Sequence, residues 1–305
     1  TPADIGAAIE SGVHGINLFF GSSLFLRQAG HGRSLEEILD AARASVRQVQ
    51  EAGLEVRFSC EDSFRTPLDD LLPILRAVDA IGVQRIGVAD TVGIASPRQV
   101  YALVSLLRNE LRADVEFHGH NDSGCAVANA FAAIEAGAGY IDTTVLGIGE
   151  RNGIASLEGL VARLTATDPA LVARYDLRQL IPLAELVSEI TGVPIPFNHM
   201  IAGSHAFSHR AGVHLNAVLR DPRSYEAIDP AAFGAQRRLD IAHALTGRHA
   251  VADRARQLSV TLTPAQLAQV TTTFKNRAAR RRVSLDDLDA AIRATGEPVA
   301  LAVAQ

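Results

Sequence analysis

Five short runs rich in β-branched and aromatic residues recur at roughly 30-residue spacing, and no other feature constrains the fold as strongly. They are GINLFF (15–20), EVRFSCE (55–61), RIGVADT (85–91), VEFHGH (115–120) and YIDTTVLG (140–147). Between them lie stretches such as SLEEILDAARASVRQVQEAG and SPRQVYALVSLLRNELRA, whose apolar residues fall at helical spacing. Ser34 with Glu37, and Ser96, mark helix starts, while Gly53 and Gly137 mark helix stops. Strand alternating with helix predicts an α/β protein, a parallel sheet covered by helices. Chemistry in such folds gathers at the carboxyl ends of the strands. Each run here ends in polar residues, among them Glu61-Asp62-Ser63, Asp90-Thr91, His118 to Asp122 and Gly147 to Asn152.

After about residue 165 the pattern changes. A helical segment, LRQLIPLAELVSEITG, leads into PIPFNHMIAGSHAFSHRAGVHLNAVLRDPRSYEAIDP, rich in His, Gly and Pro and a candidate lid. Two helices are predicted to follow, from near Thr263 and from Ser284, the latter with a capping-box pattern. The chain opens TPADIGAAIESG, with neither an initiator Met nor a signal-peptide pattern, and reads as a helix already under way.

Composition excludes several classes of chemistry. A net charge of −5 gives no general attraction to nucleic acid or anionic membrane, and no apolar stretch is long enough to span a bilayer. Two cysteines make no disulfide framework, so the default compartment is a reducing cytoplasm. Lys275 is the only lysine and lies far from the strand ends, which argues against Schiff-base catalysis and against a carbamylated-lysine metal site. Neither GxGxxG nor a P-loop occurs.

Side chains alternate faces along a strand. Glu116, His118 and His120 therefore share one face, as do Arg57, Ser59 and Glu61, and Thr91 with Gly87 and Ala89. Val56, Phe58, Cys60, Ile86, Val88, Val115 and Phe117 take the other face. Imidazoles at i and i+2 can bind one divalent metal from one direction, which makes His118 and His120 candidate ligands. A catalytic metal needs a third protein ligand and open positions; Glu116 is either that ligand or a neighbour of the site. Arg57 in a polar cavity has two readings, a fork for a substrate carboxylate or an internal salt bridge to Glu61 or Glu116. GIGERNG (147–153) is a tight turn that either ends the fold or lines the site. His31, His199 and His205 read as structural, while His214 and Tyr225 stand in the lid segment.

Taken together, RFSCEDSFR, GVADTVGIASPRQVY, EFHGHNDSGCAVANA, IDTTVLGIGERNG and SHAFSHRAGVHLNAVLRDPRSYEAIDP resemble the homocitrate synthase family. That family belongs to the metal-dependent Asp-Arg-Glu barrels, with isopropylmalate and citramalate synthases. The resemblance runs over roughly residues 1–250 and implies a (β/α)8 TIM-type barrel followed by a mainly helical lid and C-terminal region. On that basis residues 1–165 form a partial barrel holding strands four to eight, 166–250 a lid or linker subdomain, and 251–305 a C-terminal helical subdomain. The implied reaction is an aldol-type condensation of acetyl-CoA with 2-oxoglutarate, then thioester hydrolysis to homocitrate and CoA. By resemblance His118 and His120 hold a divalent metal (Mg, Mn, Zn or Co), and Glu61, His214 and Tyr225 are catalytic. Arg57 and Ser59 match positions for the distal carboxylate of 2-oxoglutarate, and Thr91 matches one for the carboxylate next to the ketone. Glu116 matches an acidic position beside the site. A branched apolar oxoacid would leave a buried Arg57 unpaired at a cost on the order of a few kcal/mol, which favours 2-oxoglutarate over oxoisovalerate or pyruvate.

The resemblance also implies a homodimer in which the lid of one chain covers the barrel of the other; the cytoplasmic location and the lack of a nucleic-acid or membrane partner rest on the chain's composition. The family's first barrel strand, which carries Asp-Arg-Glu and the third metal ligand, has no counterpart in the five runs. A longer protein, a second chain supplying strands one to three, or a non-catalytic partner subunit would each account for that. A metal-dependent retro-aldol lyase is the alternative enzyme within the same barrels.

Overall fold

The computed structural model describes residues 1–210 and 212–298, with only the backbone of residues 212, 213 and 216. Ala211 of the lid motif and residues 299–305 of the C-terminal subdomain lie outside the described residues. The chain divides into two compact units, Thr1–Leu171 and Val172–Gln305.

The first unit is built on five parallel strands, β1 (Gly15–Gly21), β2 (Glu55–Glu61), β3 (Arg85–Asp90), β4 (Asp114–Gly119) and β5 (Tyr140–Ile141), hydrogen-bonded in sequence order. Each consecutive pair is joined through a helix, the connection that parallel strands require. The helix Leu35–Glu51 starts on a capping box between Ser34 and Glu37, and the helix Pro97–Glu110 on one between Ser96 and Gln99. Gly53 and Gly137 follow their helices with φ of +74° and +96°, a conformation open to glycine at little cost. The predicted alternation holds. Phe58, Cys60, Ile86, Val88, Val115 and Phe117 are fully buried, as are Ile38, Ala42, Val46 and Val49 of the helix that covers them. Truncating Phe58 or Phe117 to Ala would cost about 3–5 kcal/mol. The apolar face thus packs under the helices and leaves the polar face for chemistry.

One element departs from the sequence reading. YIDTTVLG was expected to be a strand throughout, yet only Tyr140–Ile141 pairs with β4. Asp142 still donates its N–H to Phe117 O. Beyond it Thr144 makes an isolated bridge to Ser156, and Val145–Gly147 is a 3-10 turn with Leu146 at φ +61°. The carboxylate of Glu158, from the next helix, accepts the Leu146 N–H and stabilises the turn.

The second unit is mainly helical. Its helices include Leu180–Thr191, Gly212–Arg220, Arg248–Gln257, Pro264–Ala278 and Leu285–Thr295. Two short pairings, β6 (Ser208–His209) with β7 (Arg238–Leu239) and β8 (Val260–Thr261) with β9 (Glu297–Pro298), complete it. One core joins Leu215 and Ile241 to Val251, Val270, Phe274, Leu288 and Ile292, on both sides of position 250. Among the described residues no helix is long and apolar enough to cross a membrane.

Candidate active site

At the carboxyl ends of the strands a cavity of about 240 Å³ is lined by Arg57, Ser59, Glu61, Thr91, His118 and His120, six of the predicted residues. Asn17 and Asp142 line it as well. Larger hollows of about 420 and 500 Å³ lie in the second unit, but they gather no convergent acid–base groups. The smaller cavity carries the chemistry.

The six predicted side chains come from β2, β3 and β4 and their carboxyl ends. Arg57, Ser59 and Glu61 alternate along β2, with Glu61 its last residue. Thr91 follows β3, and its Oγ1 accepts the Asp62 N–H at 2.9 Å, which leaves the hydroxyl proton free to donate. Asp62 sits in the left-handed region at φ +59°, and its carboxylate is clamped by Arg65. Gly87 forms the floor, where a Cβ would overlap Ser59 Oγ and stand 3.5 Å from Arg57 Nε. Without a Cβ, Gly87 lets Ser59 Oγ and Arg57 Nε sit close against the β3 backbone. Arg57 Nε is buried without a protein partner.

Of the two readings of Arg57, the internal salt bridge to Glu116 is seen, and that to Glu61 is not. Its Nη2 pairs with Glu116 Oε1 at 2.7 Å and with Asp142 Oδ2 at 2.9 Å, while Nε stays free. Glu116 is buried, turned to Arg57, and is not among the cavity's lining residues. Burial first, then the Asp142 carboxylate, pushes Glu116 up to about 8 against the pull of Arg57 and Arg85. Burial would raise Asp142 as well, but hydrogen bonds from His118, Glu116 and Arg57 outweigh it and hold that carboxyl far below the usual range. The pair therefore keeps one proton, on Glu116, at neutral pH. Glu61 is raised, by burial and then by Asp62, with His118 and His31 opposing. A half-buried carboxyl with a raised pKa is suited to moving protons. Burial pushes the Cys60 thiol up to about 12, which removes it as a nucleophile.

His118 stands in β4, and His120 just beyond it bridges to Ile154. Their Nε2 atoms face each other at 3.2 Å. His118 Nδ1 lies 3.0 Å from Asp142 Oδ2, and an ionised carboxylate only accepts, so Nδ1 carries the proton and Nε2 presents a lone pair. His120 is held toward its neutral form by burial, then by His118 and Arg151, and its Nδ1 is buried without a partner. Metal–nitrogen bonds of about 2.1 Å, at right to tetrahedral angles, set two donors about 3.0–3.4 Å apart. The pair thus fits a divalent cation as half a ligand set. Among the described residues no group of three or more His, Cys, Asp and Glu is placed to complete it.

Asn17 and Asp142 escaped the sequence reading. Asn17 shares the cavity face of GINLFF, opposite Ile16 and Leu18, and accepts the Ser59 hydroxyl at 3.2 Å; its alternation made it findable. GIGERNG is bolted to the end of β4. Arg151 Nε donates to Asp122 at 2.8 Å, its Nη2 donates to Thr91 O, and Asn121 N donates to Gly153 O. Asp142 carried no local signal, because its partners lie on other strands.

In the second unit the His214 and Tyr225 rings stand 4.2 Å apart at 32°. The neighbouring Glu226 is gripped by Arg237, at 2.5 and 2.6 Å, and by His209 at 2.9 Å. His199 bonds the Met200 carbonyl and His205 the Ser204 hydroxyl, as structural histidines do.

Residues 1–187 match the HMGL-like family, and residues 201–282 match the homocitrate synthase post-HMGL domain-like family. Among solved structures, an HMG-CoA lyase of Bacillus subtilis superposes with a TM-score of 0.56 at 23% identity, over 64% of this chain and 69% of that one. That likeness carries the barrel fold. The chain belongs to the HMGL-like family. Its sequence relatives lie on the homocitrate synthase branch. The mitochondrial homocitrate synthase of Penicillium rubens is 49% identical over 95% of this chain and 62% of its own length. That of Schizosaccharomyces pombe is 47% identical over 95% and 70%, and a homocitrate synthase of Sulfurisphaera tokodaii 39% over 96% and 64%. The chain thus spans somewhat under two-thirds of the length of two of these relatives and 70% of the third.

Proposed function

We propose that the protein acts as a homocitrate synthase-type acyltransferase, condensing acetyl-CoA with 2-oxoglutarate and hydrolysing the thioester to homocitrate and CoA. The observation that carries this reading is one cavity holding a convergent imidazole pair beside a guanidinium with a free donor edge. The homocitrate synthase relatives add weight. His118 and His120 would hold a divalent cation, which when bound polarises the ketone of the oxoacid as a Lewis acid. Arg57 Nε and Ser59 bind the distal carboxylate, Ser59 by turning its hydroxyl from Asn17 to the substrate. Thr91 donates its hydroxyl to the carboxylate beside the ketone. Glu116 keeps its proton and so does not compete with substrate for Arg57 as a second full anion. In the acid–base step His214 takes a proton from the thioester methyl, Glu61 handles the proton balance, and Tyr225 donates to developing oxyanion charge. The methyl carbon then bonds the ketone carbon, the ketone oxygen takes a proton, and water releases CoA. A homodimer and a cytoplasmic location belong to the same proposal, and so does a longer or second chain that completes the barrel.

The test is thiol release from acetyl-CoA with Mg²⁺ or Mn²⁺, comparing 2-oxoglutarate with oxoisovalerate. Release should favour 2-oxoglutarate by about 10–100-fold, the cost of leaving the Arg57 Nε–H without an acceptor while Nη2 stays paired. A preference for oxoisovalerate would overturn the reading. So would the absence of both release and calorimetric binding of 2-oxoglutarate.

A further inference from the structure

We propose that Asp142 is a positioning residue that holds His118 in its ligating tautomer and fixes Arg57 beside it, so that one carboxylate aligns the metal pair with the carboxylate fork. Its Oδ2 accepts two hydrogen bonds, from His118 Nδ1 on β4 at 3.0 Å and from Arg57 Nη2 on β2 at 2.9 Å. Its own backbone is tied to β4, through its N–H to Phe117 O. One side chain thus joins three strands at the rim of the cavity. Neutral histidine left to water favours a proton on Nε2, the atom that here faces His120 Nε2 at 3.2 Å. A proton there would block the lone pair that a cation needs. Accepting from Nδ1 reverses that preference. The bond to Arg57 orients the guanidinium as well, turning Nη2 toward the acids and leaving Nε as the donor edge without a protein partner.

The inference rests on the metal reading of His118 and His120, and the experiment separates the two. Long-range ¹H–¹⁵N spectra of the metal-free protein report the His118 tautomer, and calorimetry with Mn²⁺ alone reports affinity. The wild type should show Nδ1–H. Asp142→Leu, which has no acceptor, should move the proton to Nε2 and weaken Mn²⁺ binding by about 10–100-fold. Asp142→Asn keeps an amide oxygen that can accept both bonds, so it should retain Nδ1–H and lose less than about 10-fold. An unchanged tautomer in Asp142→Leu, with Mn²⁺ affinity within about threefold of wild type, would overturn the proposal. Should Asp142→Leu fail to fold, the wild-type spectrum decides, since an Nε2–H tautomer there is equally fatal. If the wild type binds no Mn²⁺, the metal reading falls, while the metal-free spectra still settle what Asp142 does.

Discussion

Glu116 and Asp142 are two carboxyls around one arginine, and their pKa values are pushed in opposite directions. Glu116 is raised from 4.5 to about 8. Between those values the folded protein holds a proton that the unfolded chain has released, so stability falls as pH rises through that window and the loss is complete above it. The slope is bounded by one proton, about 1.4 kcal/mol per pH unit. Asp142 is lowered, so its contribution is present above its unfolded value and is lost as pH falls toward its folded one. Glu116→Gln keeps the shape and has no proton to lose. Urea midpoints at pH 5.5 and 8.5 should therefore fall with pH more steeply in the wild type than in Glu116→Gln, and parallel behaviour would refute the shared proton. Strand alternation put Arg57, Ser59, Glu61, Glu116 and His118 on one face from sequence alone. It could not settle Arg57, because one of its two acidic partners, Asp142, stands 85 residues away, just past the end of β5, where only the fold brings it alongside.

At the scale of elements, what could be read locally was read well. Capping boxes at Ser34, Ser96 and Ser284 start their helices where the residue pattern placed them. The last strand was misjudged, because its end is decided by a carboxylate from the following helix and by tight glycines rather than by its own apolar residues. Two glycines separate backbone strain from contact. Gly124 and Gly153 have φ of +77° and +78°, yet a Cβ at Gly124 meets nothing within 4 Å, whereas at Gly153 it overlaps the Gly147 carbonyl oxygen. Gly124→Ala should cost about 1 kcal/mol from the left-handed conformation alone. Gly153→Ala adds a backbone clash and should cost about 1–3 kcal/mol more. It should also loosen the loop that Asn121 holds at the end of β4. Thermal melts of the two variants give the difference directly; equal losses would mean that the loop yields without cost.

At the scale of the molecule, the proposed chemistry is divided between two units that each have a core of their own. The residue pattern changes from strand–helix alternation to helices near residue 165, and the chain divides into two compact units after Leu171. The common core behind position 250 was not legible in the sequence, since Leu215 and Ile241 sit in irregular surroundings where periodicity is silent. The metal-type pair belongs to the first unit, and His214 with Tyr225 to the second. Damage to the second core should therefore separate binding from turnover. Phe274 is buried in that core, and Phe274→Ala should lower the second unit's stability by about 3–5 kcal/mol. At a temperature where this variant has lost the second unit's tertiary signal, Mn²⁺ binding should stay within about threefold of wild type, because His118, His120 and the Asp142 that holds His118 all belong to the first unit. Thiol release from acetyl-CoA should be lost at that same temperature. Loss of Mn²⁺ binding in step with the melt would show instead that the imidazole pair depends on the helical unit for its geometry. The two functions would then form a single cooperative structure.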